Sequence, residues 1–174
     1  FKLVKDLGIK ETGILVSCSD YHIFKKMNLT RAQAMDKYLG IVKSALAHGI
    51  KPRCHFEDIT RADFYGFVVP FANELMKLSR ESGIPIKIRM CDTMGFGVNY
   101  PGTSLPRSVQ GIVYGLHHHA EVPSEMLEWH GHNDFYKVVT YAATAWLYGA
   151  CAVRMIVIPA AVLLGLIAGV WTLT

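Results

Sequence analysis

The chain has no CxxC pair, no run of basic residues and no Asn-Gly turn between apolar segments. Each absence removes a class of protein. Its four cysteines, Cys18, Cys54, Cys91 and Cys151, lie far apart, which argues against a zinc knuckle or a small disulfide scaffold and predicts reduced, partly buried thiols. The 18 Lys and Arg are scattered, and the net charge is only +4, so no basic track with interleaved aromatics exists to follow a phosphate backbone and no nucleic-acid partner is expected. Without tight hairpin turns, neighbouring strands must be joined by crossovers, which predicts a parallel sheet. The first residues, Phe1-Lys2-Leu3-Val4-Lys5-Asp6, include no initiator Met and do not resemble a signal peptide. The expectation is a cytoplasmic protein whose sequence starts partway through a longer chain.

What is present is apolar material in a regular rhythm. The 174 residues are 51% hydrophobic, enough to bury one domain's core and to exclude disorder. Apolar or β-branched runs at 12–19, 51–57, 85–91, 126–132 and 151–158 alternate with longer amphipathic stretches at a repeat of about 36 to 40 residues, the spacing of βα units. A helix is predicted at 30–47, with Thr30 as N-cap, Ala34, Tyr38, Ile41, Val42 and Ala45 on one face, and Gly49 past its end. Others are predicted from 63 to just before Gly83, with Phe67, Phe71, Leu75 and Leu78 against the sheet, and at 105–119 and 135–148.

Four strand runs end in polar clusters: Ser19-Asp20-Tyr21-His22, Glu57-Asp58, Asp92-Thr93 and His130-Gly131-His132-Asn133-Asp134. Parallel sheets put ligand sites at the carboxyl ends of their strands, so the clusters predict one shared site. A (β/α)8 barrel explains the convergence best, but it takes about 250 residues. The fold class expected is therefore α/β, an incomplete (β/α)8 TIM barrel of four to five parallel βα units. Residues 1–153 would form the partial barrel and 154–174 an apolar tail. That tail is uncharged from 155 onward and holds Gly165 and Gly169 in GxxxG spacing. Pro159 favours a buried strand and helix or a non-native continuation, and membrane insertion is the alternative.

His130 and His132, two apart on a strand, project to one side and can chelate one cation; equally, they can be ordinary polar residues at a strand end. Asn133 and Asp134 can steady them or add oxygen ligands. Arg53, His55 and Glu57 share one strand face, which reads either as a carboxylate fork beside an acid–base group or as a salt-bridged barrel interior. Thr93 and His22 read as turn and loop residues as readily as functional ones. His117-His118-His119 cannot all face one ion on a helix and is read as a solvated helix end. Tyr136, Tyr141, Trp146 and Tyr148 are expected to pack.

The same residues resemble the DRE-type TIM-barrel metalloenzymes, the family of 2-isopropylmalate synthase, homocitrate synthase, Re-type citrate synthase and hydroxymethylglutaryl lyase. The likeness spans residues 10–153, and the wording of 11–22 is closest to Re-type citrate synthases. His130-Gly131-His132-Asn133-Asp134 resembles the family's HxHND segment, which implies that both histidines bind a divalent metal (Mn, Mg or Zn). Arg53-Cys54-His55-Phe56-Glu57-Asp58 resembles the Arg-Phe-Ser-Ser-Glu-Asp strand of homocitrate synthases, implying that Arg53 holds the distal carboxylate of a 2-oxo acid and Glu57 is catalytic; His55 replaces a Ser. Asp92-Thr93-Met94-Gly95 resembles Asp-Thr-Val-Gly, in which the Thr contacts substrate carboxylate, and His22 matches a His beside the oxo acid. The family's Asp-Arg-Glu strand and its Gly-x-Gly-Glu-x-x-Gly-Asn segment have no counterpart here, so a fragment or an altered reading frame is the expectation. The resemblance implies condensation of acetyl-CoA, the cosubstrate, with a 2-oxo acid, in a homodimer when full length. A lyase or aldolase on the same barrel, and an inactive truncated protein with a membrane-prone tail, are the alternatives.

Overall fold

Period-two alternation sorts the strand side chains into two faces, and the register of the sheet shows which face each takes. In the computed structural model, which describes residues 1–156, β1 (Glu11–Ser17), β2 (Lys51–Glu57), β3 (Lys87–Asp92), β4 (Leu127–His132) and β5 (Ala152–Ile156) form one parallel sheet in sequence order. On one face, Ile14, Cys54, Ile88 and Leu127 are cross-strand partners, as are Val16, Phe56, Met90 and Trp129, and all are buried. Helices α2 (Arg31–Ala47), α3 (Val69–Ser82), α4 (Val109–His119) and α5 (Val138–Leu147) cover that face. Phe71 of α3 stacks on Phe56 at 5.3 Å and meets Tyr38 of α2 at 5.8 Å. Burying each such side chain contributes about 1.5–3 kcal/mol. The parallel partial barrel expected from the rhythm is therefore the fold.

Capping chemistry sets the helix bounds. Thr30 accepts the Gln33 N–H at 3.2 Å while the Gln33 side chain accepts the Thr30 N–H at 2.9 Å, a reciprocal box that starts α2. The helix predicted from 63 begins instead with a wide turn, Phe64–Val68, capped by Asp63, before α3 takes over. Pro70 is the cause: it has no N–H to give the carbonyl four residues back, so the regular ladder restarts there. Likewise α4 starts at Val109, where Ser108 accepts the Gly111 N–H at 3.0 Å, and not at 105. The predicted start of the last helix at 135 moves to Val138 because Tyr136 sits at φ 59°, outside the right-handed region.

Short elements without a periodic signal include α1 (Lys2–Asp6), a wide turn with i→i+5 bonding at Tyr21–Lys26, and single tight turns at Ile59–Arg61 and Ser124–Met126. Among the aromatics expected to pack, only Tyr141 is buried; Tyr136, Trp146 and Tyr148 are exposed, which corrects the reading of them as packing residues. All four cysteines are free thiols, Cys151 exposed and the others buried. No helix among the described residues is long and apolar enough to cross a membrane. Most of the apolar tail, 157–174, lies outside the described residues.

Candidate active site at the carboxyl ends of the strands

The second sheet face is polar, and its rows climb toward the site. Gly13, Arg53 and Lys87 are register partners, then Leu15, His55, Arg89 and Glu128, then Ser17, Glu57, Cys91, His130 and Arg154. Glu57 thus stands two strands from His130 at one height. Its carboxylate accepts the Ser17 hydroxyl, and Lys26 Nζ lies 3.2 Å from both oxygens. His22 Nδ1 lies 3.3 Å from Glu57 Oε2 yet outside hydrogen-bond geometry, leaving that nitrogen buried and unpartnered. Burial pushes the Glu57 pKa up, but the bonds from Ser17 and Lys26 outweigh it and hold the carboxyl below its ordinary value.

The two histidines do face the same way. Their Nε2 atoms are 3.1 Å apart and their rings perpendicular at 89°. The 3.1 Å gap is hydrogen-bond distance, and it also lies between the separations of about 2.9 and about 3.3 Å that two nitrogens about 2.0–2.1 Å from one ion would have at octahedral and tetrahedral angles. Burial first, then the neighbouring His132, Arg89, His55 and Arg154, pushes the His130 pKa down to about 4, so its ring is neutral and keeps a lone pair for a metal. The pair therefore fits two ligand positions, although no group of three or more His, Cys, Asp or Glu among the described residues is arranged to hold an ion. The side-chain oxygen of Asn133 accepts the Val138 N–H at 3.2 Å and so anchors the start of α5. Asp134 abuts the Gly95 turn, where a Cβ would stand 3.1 Å from the His132 carbonyl oxygen. At φ 67°, Gly95 lets the β3 loop lie directly on the metal-binding candidates.

That loop is held from beneath. Asp92 is fully buried and accepts the Thr60 hydroxyl at 2.8 Å and the N–H groups of Phe96 and Gly97 at 2.8 and 2.9 Å. Burial raises its pKa, with these bonds opposing. Thr93 Oγ1 accepts the Asp58 N–H at 2.8 Å. Asp58, buried at φ 64°, takes the Ser19 hydroxyl and both of its oxygens meet Arg61 Nε at 2.9 Å. Glu57, Thr93 and His22 are thereby set by one network across three loops.

Arg53 and His55 lie deeper. Arg53 bonds Glu11, and its Nε is 3.3 Å from Glu128, which also meets Arg89 Nη2 at 2.6 Å and Lys87 at 3.6 Å. Lys87 closes the lattice at 3.1 Å from Glu11. His55 packs over Gly13, and burial, with Arg89 and Arg53 adding, pushes its pKa down to about 4. The salt-bridged interior weighed from sequence is present in this row. The sequence reading assigns no role to Lys26, Glu11, Arg89 or Glu128. Extending the phase of Arg53, His55 and Glu57 to Lys87 and Arg89, and back from His130 to Glu128, would have found two of them. His117, His118 and His119 sit away from the site at the end of α4, His117 Nδ1 meeting the Val122 carbonyl at 2.9 Å and His118 lying 4.1 Å from the Tyr114 ring.

Comparison with known proteins gives this arrangement relatives. The chain is 69% identical over 153 residues to the Citrate (Re)-synthase of Clostridium kluyveri, a match covering 88% of this chain and 34% of that protein. It is 66% identical over 150 residues to the Citrate (Re)-synthase of Syntrophus aciditrophicus, covering 86% of this chain and 24% of the other. The chain thus spans about a third or less of these relatives' length. In three dimensions it is similar to the hydroxymethylglutaryl-CoA lyase of Pseudomonas aeruginosa, with a TM-score of 0.64 at 17% identity over 88% of this chain and 48% of that one. The HMGL-like family model matches residues 2–158, and the chain belongs to the HMGL-like family.

Proposed function

We propose that the protein is part of a metal-dependent acyltransferase that joins acetyl-CoA to a dicarboxylic 2-oxo acid and releases a citrate-like tertiary hydroxy acid. The observation that carries this reading is one register row holding Glu57 and His130, with His132 beside them, on the polar face of a parallel sheet. Relatives named Citrate (Re)-synthase at 66–69% identity support the choice of substrates. The boundary expected at 153 falls inside β5, so in this reading the partial catalytic barrel runs on through Ile156, and the departure from the family pattern expected at 154 comes only after the matched residues 2–158.

His130 and His132 hold the divalent cation, whether Mn, Mg or Zn, with Asn133 and Asp134 supporting them. A cation bound there supplies Lewis-acid polarisation of the oxo acid's carbonyl. Glu57 serves as the acid–base group, ionised at rest by its hydrogen bonds. Thr93 Oγ1 accepts the Asp58 N–H and sends its hydroxyl hydrogen to the Cys91 carbonyl at 3.5 Å, a long bond that it exchanges for a substrate carboxylate. His22 flanks Glu57 with an unpartnered nitrogen facing the site. His55, neutral and with Nε2 unpartnered, lies below as a polar contact for the substrate. Arg53 receives the distal carboxylate by exchanging it for Glu11, its present partner. The full-length enzyme is a cytoplasmic homodimer in this reading.

The test is a CoA-release assay on the full-length protein with acetyl-CoA, a panel of 2-oxo acids and each divalent metal. Metal-dependent release with a dicarboxylic oxo acid is expected. No release with any acid, or cleavage of the hydroxy acid without condensation, sinks the proposal, the second outcome in favour of a lyase.

A further inference from the structure

No role for Lys26 is read from the sequence, yet the fold aims it at the carboxylate on which the proposed chemistry depends. The wide turn Tyr21–Lys26 is closed by the Met27 N–H to the His22 carbonyl at 3.0 Å, and it brings both His22 and Lys26 to Glu57. The turn itself is fixed: Ile23 is fully buried, and the Tyr38 hydroxyl bridges Met27 Sδ at 3.0 Å to the Ser17 N–H at 3.1 Å. Ser17 is the residue whose hydroxyl binds Glu57. An exposed ion pair contributes little to stability. Lys26 is itself 53% exposed, but its Nζ spans both oxygens of a carboxylate whose side chain is only 14% exposed.

We propose that Lys26 is a positioning residue that clamps Glu57 in its ionised form and fixes the direction of its carboxylate. The inference rests on the reading of Glu57 as the acid–base group. The groups facing Glu57 are Ser17 on β1, His22 and Lys26 on the turn, Tyr38 on α2, Cys91 on β3, and Cys18 and Asp58 beside the strand ends, so Lys26 is the permanent cation of the set.

The test compares K26M and K26R in the full-length enzyme. K26M should lower kcat by about tenfold, leave both KM values within about twofold, and move the acid limb of the kcat pH profile up by about one unit. K26R should recover most of the loss. In parallel, the infrared carbonyl band of protonated Glu57, identified by its absence in E57Q, should appear at higher pH in K26M. A stationary band and acid limb overturn the proposal. So does a loss confined to KM for one substrate, which would make Lys26 a substrate contact. The infrared titration needs no turnover, so a parent enzyme that releases no CoA would sink the condensation reading while the band still tests Lys26.

Discussion

Replacing Glu128 with Gln tests whether the charged lattice below the site stabilises the barrel. Glu128 is 5% exposed and is the shared partner of Arg89, Arg53 and Lys87. Removing one partner of a buried ion pair costs about 3–5 kcal/mol because the other charge stays desolvated. The lower end applies: Arg89 is as buried as Glu128, but Arg53 and Lys87, at 23% and 29% exposed, can turn to water. The expected loss is about 3 kcal/mol, which at a urea slope of about 2 kcal/mol/M lowers the midpoint by about 1.5 M. The pH dependence follows with its sign. Burial pushes the Glu128 carboxyl up, yet Arg89, Arg53 and Lys87 outweigh burial and hold it below the ordinary 4.5. A depressed folded pKa gives stability that is complete above the unfolded value and lost as pH falls through the folded one. E128Q should therefore lose stability at pH 7 and show a shallower decline below about pH 4.5 than its parent. Urea melts of the full-length protein at pH 7 and along an acid series measure both. A loss below about 1 kcal/mol, or an unchanged acid slope, would refute the lattice as a stabilising element.

His132→Ala should abolish tight metal binding in the full-length enzyme, read by metal analysis after dialysis; retained stoichiometric metal would separate His132 from the metal centre. Gly95→Ala should lower the thermal midpoint by an amount equivalent to about 1–2 kcal/mol, since φ 67° penalises a Cβ that would also stand 3.1 Å from the His132 carbonyl oxygen; an unchanged midpoint would show that the loop simply shifts. His55→Gln should flatten the fall in stability between pH 6.5 and about 4, because the unfolded chain binds a proton in that window that folded His55 refuses; equal slopes in acid melts would count against a buried, neutral His55.

Much of the architecture is legible without coordinates because it depends on local rules. Thr30 with Gln33, and Gly83 at φ 67°, bound their helices by side-chain and backbone chemistry that acts within one turn. Strand positions follow from period-two apolar runs, and the ends of β1 to β4 fall within two residues of expectation. Pro70 and Tyr136 moved two helix starts because single residues can veto a periodic pattern. Tyr136, Trp146 and Tyr148, in and beside α5, misled because an apolar side chain does not say what covers it.

The sequence alone determined the parallel βα order, the polar strand ends, and the common side taken by His130 and His132, since alternation along a strand is a property of the backbone. Only the tertiary structure decided which strand ends share a row, that Glu11 and Glu128 occupy Arg53, and that Lys26 reaches Glu57. Those pairings join residues on different strands and loops, and they exist only once register and burial have fixed the distances between charges.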